Sequence, residues 1–140
     1  MLENASRLNQ TIRKIVGISI ILAIGAMHAF RIGQYLNGSL YIYYYSYASD
    51  LVLPLGSYFL LSMVELRYRF LHKWYTKAII VFSVMTFSEI MQAFGVYFFG
   101  VTFDVLDIIM FGLGTLIAAL FDKQIFERLI PHWEYSYENR

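Results

Sequence analysis

The hydrophobic positions of this chain fall in long unbroken runs, and short polar segments separate the runs. Continuity of this length argues for helices and against strands, whose apolar residues would alternate with polar ones. A helix that crosses a bilayer needs about 20 mostly apolar residues, within a range of about 17–25. Four segments meet that requirement, at residues 15–36, 50–66, 76–99 and 104–121. The second and fourth lie near the short end of the range. Irregular backbone cannot face lipid. The pattern therefore predicts an all-α polytopic membrane protein, a compact bundle of four transmembrane helices forming one domain over residues 1–140. In the tail 122–140, expected at the inner surface, Ile125, Phe126, Leu129 and Ile130 recur at helical spacing before Pro131. That stretch either continues the fourth span or lies along the membrane surface.

Charge gives the spans a direction. Ten of the eleven Lys and Arg residues fall on one side: Arg7, Arg13 and Lys14 before the first span, Arg67, Arg69, Lys73 and Lys77 between the second and third, and Lys123, Arg128 and Arg140 after the fourth. Positive residues are retained in the cytoplasm. Both termini are accordingly expected inside the cell membrane, with loops 37–49 and 100–103 outside. The basic start followed by an apolar run has the outline of a signal peptide. Its length, its poor small-residue cleavage site and the three spans that follow favour a retained first helix.

Composition excludes several classes. Hydrophobic residues make up 59% and charged residues 15% of the 140 positions, against about 25% charged in a typical soluble domain. The net charge of +1 offers no basic surface for nucleic acid. With no cysteine, neither a disulfide framework nor a Cys-ligated metal is available. Aromatic residues, at 19%, concentrate in loop 37–49, which holds Tyr41, Tyr43, Tyr44, Tyr45 and Tyr47. Tyrosine prefers the headgroup level, where its ring is half buried and its hydroxyl wet. This segment is expected to form an outer aromatic belt or a platform for an amphiphilic ligand. Trp74 is expected to anchor the inner leaflet.

The polar residues within the spans carry the candidate chemistry, because charges inside a membrane are costly and usually face partners in a bundle interior. Glu89 lies 11 residues after Ala78, about 16 Å of helix rise, which puts it near the middle of a hydrocarbon core about 30 Å thick. Gln92 follows at i+3 on the same face. Glu89 either locks helices together by hydrogen bonding or acts as a buried acid. Asp104 and Asp107 open the fourth span; they either cap it, with Asp104 as N-cap and Asp107 in the first turn, or form an acidic site at its outer end. Asp50 opens the second span, where the same two readings apply and capping is preferred. Arg31, the one basic residue on the outer side, either snorkels or pairs with Asp104, Asp107 or Asp50. His28, at i−3 from Arg31, is read as a packed residue. Gly114 and Ala118 form a small-x-x-x-small pair that permits close helix approach. Pro54 is expected in the first turns of the second span.

No nucleophile elbow, phosphate-cradling glycine loop or His-x-x-x-His pair is present, so the sequence favours a non-enzyme. No cofactor or metal is implied.

Glu89-Ile-Met-Gln92-Ala-Phe94, then Gly100-Val-Thr-Phe103-Asp104-Val-Leu-Asp107, then Gly114-Thr-Leu-Ile-Ala118 resemble the VanZ-like family of membrane proteins. That family has Glu-x-x-Gln-x-Phe in one helix, a short loop, then Gly-Arg-x-Phe-Asp-x-x-Asp-x-x-x-Asn-x-x-Gly-x-x-x-Gly. Asp50 and Tyr58 match an Asp and a Tyr of an earlier family helix more weakly. The match covers about a third of the chain. Val101 stands at the family's Arg, Phe111 at its Asn, Ala118 at its last Gly, and Pro54 where a His is expected. Arg31 is the residue expected to supply the missing positive charge. The resemblance implies a multi-pass envelope protein with a link to glycopeptide (teicoplanin) resistance. The combined expectation is a protein that binds or modulates an envelope lipid or lipid-like ligand through a polar site made of Glu89, Gln92, Asp104, Asp107 and Arg31. The alternatives are a subunit of an oligomeric proton or cation channel or transporter, an enzyme on a lipid-linked substrate, and a structural accessory subunit. The oligomeric state is left open.

Overall fold

The computed structural model describes residues 2–30, 32–65, 67–96 and 103–129. Arg31, Val101, the end of the tail from Ile130 and the His28 side chain lie outside what is described. Every regular element among the described residues is helical: α1 (Leu2–Ala29), α2 (Ser39–Val64), α3 (Trp74–Ala93) and α4 (Val105–Leu120). Short 3-10 turns, Ile32–Tyr35 and Arg69–His72, lie before α2 and α3. α4 runs on through a π-helical stretch, Phe121–Phe126, into Glu127–Leu129. Of the two expectations for this stretch, Ile125, Phe126 and Leu129 thus continue the fourth helix.

Three helical segments are long and apolar enough to cross a membrane: Gln10–Met27, Ser39–Val64 and Val105–Phe126. The sequence pattern had marked α3 as a fourth. α3 carries Lys77, Glu89 and Gln92 among its buried residues, so its apolar character is diluted by groups that face inward. The distribution of side chains is inverted relative to a soluble protein. Leu22, Ile79, Phe87, Ile109 and Leu116 are exposed, while Arg13, Glu65, Lys77, Glu89, Gln92 and Asp122 are buried. Charged residues are almost never buried unless paired, and an apolar exterior is stable where the surrounding solvent is lipid.

Several boundaries differ from the sequence-based expectation. The first helix starts at Leu2 and stops at Ala29, short of residue 36, where a turn at Phe30 precedes the 3-10 segment. The tyrosine-rich stretch is not a loop: α2 begins at Ser39 after Gly38, whose φ of 62° sets the chain's turn into the helix. The Tyr41 ring packs tilted against Tyr45 and Tyr43 stacks on Tyr47, each at i,i+4, with ring centroids 4.6 and 6.4 Å apart. These pairs supply the local support that individual tyrosine propensities do not. Asp50 and Pro54, expected at the start of a helix, therefore lie inside α2, and Asp50 is no N-cap.

α3 ends at Ala93 rather than near residue 99. Gly95, at φ 77°, closes it with a reverse turn in which Gly95 N–H donates to Gln92 O (2.9 Å) and Val96 N–H to Met91 O (3.0 Å). This is the two-bond pattern that satisfies the last carbonyls of a helix and needs a left-handed residue, usually glycine. α4 begins as expected, with the Asp104 side chain accepting from Leu106 N–H at 2.9 Å.

α1 packs on α2, and α2 packs on both α3 and α4, which pack on each other. The central core is Tyr58, Phe59, Val81, Met85, Phe111, Ala118 and Ala119. α2 and α4 cross closely at Gly114, where any Cβ would overlap the Leu51 carbonyl oxygen and meet Pro54 Cγ at 2.8 Å. The small-residue reading of Gly114 thus has a definite partner.

Candidate functional site

Two polar clusters occupy opposite ends of the helix bundle. Along α2, Asp50 and Glu65 are 15 residues apart, about 22 Å of rise. Along α3, Lys77 and Glu89 are 12 apart, about 18 Å.

The first cluster is where α3 ends and α4 begins. Glu89 is 2% exposed and lies one turn from the end of α3, not at its middle. The earlier stop at Ala93 moves it there. Its Oε1 accepts from the Asp104 backbone N–H at 2.8 Å and its Oε2 from Gln92 Nε2 at 2.8 Å. Glu89 therefore ties the end of α3 to the N-terminus of α4, where backbone N–H groups have no partner within the helix. A carboxylate is well suited there, because the helix dipole places positive charge at that end. The reading of Glu89 as a helix lock is supported in this form.

Asp104 caps α4 through its side chain, so the capping reading holds for it. Asp107 sits in the first turn of α4 and is the hydrogen-bond partner of Asp50 from α2. A hydrogen bond between two carboxyls needs a proton on one of them, and this pair lies within the field of Glu89 and Asp104. The structure thus brings together four of the five candidate residues (Glu89, Gln92, Asp104 and Asp107) and adds Asp50. The fifth, Arg31, lies outside the described residues, so its pairing with the aspartates carries no structural statement. Among the described residues, no Lys, Arg or His forms an ion pair with any of these acids.

The free valences of this cluster are mostly acceptors. Gln92 is 7% exposed, its Nε2 is engaged by Glu89, and its Oε1 has no hydrogen-bond partner. Ser88, one turn earlier on the same face and 5% exposed, has an unpartnered Oγ. Pro54 has no N–H to give to the Asp50 main-chain carbonyl four residues before it. Among the described residues no trio of acids or histidines is arranged to hold a metal ion.

The second cluster escaped the sequence reading. Lys77 Nζ stands between Glu65 Oε2 (2.6 Å) and Asp122 Oδ2 (2.7 Å). Arg13 Nη1 approaches Glu65 Oε1 at 2.7 Å, and the Tyr58 hydroxyl donates to Asp122 Oδ2 at 2.8 Å. All four charged side chains are 5% exposed or less. Two cations and two carboxylates, drawn from α1, the end of α2, α3 and the π-helical stretch after α4, balance one another. Arg13, expected in the segment before the first span, and Lys77, expected between the second and third, are both interior groups. The available signal was an acid at the end of two apolar runs, Glu65 and Asp122, together with a lysine just inside a third. His72 lies beside this network, where burial lowers its pKa from the usual 6.5 against the opposing pull of Glu65.

Comparison of the chain with protein-family models, with curated proteins and with solved structures finds no match. The VanZ-like resemblance rests on the motif residues between Glu89 and Ala118 and on the weaker match at Asp50 and Tyr58.

Proposed function

We propose that this chain is a VanZ-like multi-pass protein of the cell membrane that binds an envelope lipid or lipid-like ligand at the acid–amide cluster. In this reading all four long helices cross the bilayer, with both termini in the cytoplasm. α3, at 20 residues, is about 30 Å long, the thickness of the hydrocarbon core. Its buried Lys77 and Glu89 are both partnered within the bundle, which removes the main objection to membrane placement.

The observation that carries the ligand reading is the convergence of Asp50, Gln92, Asp104 and Asp107 around Glu89, with the buried Gln92 Oε1 unmatched. A purely structural cluster would satisfy its buried polar atoms and balance its charges. The opposite cluster does the latter. A role in glycopeptide resistance would follow from engagement of a lipid-linked envelope component.

Native mass spectrometry of protein gently extracted from membranes tests this. A lipid-like adduct retained by wild type and lost in Asp107→Asn is the expected result. Bare protein in both would leave packing as the explanation of the acids and return the reading to an accessory subunit.

A further inference from the structure

Resting on the ligand reading above, we infer that the acid–amide cluster recognises a primary ammonium group. Three features of the cluster point to it. The first is acidity: Glu89 on α3 bonds the Asp104 N–H at the start of α4, and Asp50 on α2 pairs with Asp107 within the field of those two carboxyls, so four acidic side chains gather at one end of the bundle. None forms an ion pair with a described Lys, Arg or His. The second is hydrogen-bond capacity. The donors identified at this site, Asp104 N–H, Leu106 N–H and Gln92 Nε2, are engaged by Glu89 and Asp104. What remains open at the buried face is the Gln92 carbonyl oxygen, nine-tenths buried, and the Ser88 hydroxyl one turn away. The third is the main chain. Pro54 withholds a donor from the Asp50 carbonyl, next to the Asp50–Asp107 pair.

A ligand group that fits must be positive and must offer several N–H donors. A phosphate or carboxylate would meet like charge. A quaternary ammonium would bring charge without donors. No group of three acidic or imidazole side chains placed to hold a divalent metal exists among the described residues. A primary ammonium has three donors and one positive charge, enough to reach an aspartate, the Gln92 Oε1 and one further acceptor. The ammonium can belong to a lipid headgroup or to a free amine, and the two sources separate experimentally.

The test places the full chain in nanodiscs containing equal amounts of phosphatidylethanolamine and phosphatidylcholine with identical acyl chains. Co-purified lipid is read by native mass spectrometry, with free ethanolamine as competitor, for wild type, Asp107→Asn and Gln92→Leu. Retention of the ethanolamine lipid about tenfold or more over the choline lipid is expected, since hydrogen bonds between charged groups are the strong ones. Both variants should lose that preference while keeping a helical circular-dichroism spectrum and a cooperative melt. Equal retention of the two lipids, lost in Asp107→Asn, would overturn the ammonium inference and leave the lipid reading standing. Protection against thermal unfolding by free ethanolamine, with no lipid retained, would keep the ammonium inference and remove the lipid. No binding of either would overturn both. An Arg31→Gln variant that gains amine binding absent from wild type would assign the cation to the chain itself and overturn the inference.

Discussion

At one end of the bundle Lys77 stands between two carboxylates, Arg13 covers the far side of one of them, and a tyrosine hydroxyl completes the other. About 20 Å along the helices, four carboxyls meet with no described cation among them, and an amide oxygen is buried without a partner. Both clusters use α2, α3 and α4, and both sit among apolar helices. The first is closed: its charges cancel and its geometry is spent within the protein. The second is open: its internal bonds join α3 to α4, yet it retains acceptors and negative charge that its own described residues do not answer. Glu89 is as deeply buried as the ions of the closed end, whereas Asp50, Asp104 and Asp107 are only partly buried. Under the proposed function, the difference between the two ends marks the open end as the ligand site.

Breaking the closed cluster should have the largest effect. Lys77→Met removes the cation that Glu65 and Asp122 share, leaving Arg13 on Glu65 and the Tyr58 hydroxyl on Asp122. The expected loss is about 3–5 kcal/mol, as for removal of one partner from a buried pair, seen as a sharp fall in thermal stability in mild detergent. Next is Gly114→Ala, which forces α2 and α4 apart at the Leu51 carbonyl. Overpacking of this kind costs about 1–3 kcal/mol, and here it also disturbs Asp50, one residue from Leu51. At the open end, Asp107→Asn keeps a donor toward Asp50 and removes an ionisable carboxyl from the acid cluster. Its stability should hold or rise by up to about 1 kcal/mol, as at functional sites that trade stability for binding, while ligand retention is lost.

The smallest effect is a pH dependence at the closed end. Burial lowers the His72 pKa, so the folded protein favours the neutral imidazole. The contribution is present above the ordinary 6.5 and is lost as pH falls through the lowered folded value. A thermal melt that weakens modestly from pH 7 into the acid range, and weakens less in His72→Gln, is expected.

The membrane character of the chain was legible because it follows from run length and hydropathy, which survive errors of several residues at each boundary. The cap at Asp104 and the Glu89–Gln92 pairing were legible because both are local, set by spacings of two and three residues. The start of α2 was not. Tyrosines and a serine after a glycine read as an aqueous loop, whereas paired rings at i,i+4 let the helix begin eleven residues earlier. That error displaced Asp50 from the interior of a helix to its cap. The position of Glu89 failed for a related reason: Gly95 was passed over as a stop, so the span was drawn too long and its centre misplaced. The closed cluster was hidden because its bonded partners are 12 to 64 residues apart and each looks ordinary alone. A lysine near a span end resembles an orienting charge until the two carboxylates that hold it are seen.

The most direct test of the contrast between the two ends is a side-by-side thermal unfolding of Lys77→Met and Asp107→Asn against wild type in the same lipid-free detergent. A large fall for Lys77→Met and none for Asp107→Asn is expected. Comparable falls in both would mean that the acids at the start of α4 hold the fold together as the ion network does, and would contradict the assignment of that end to a ligand.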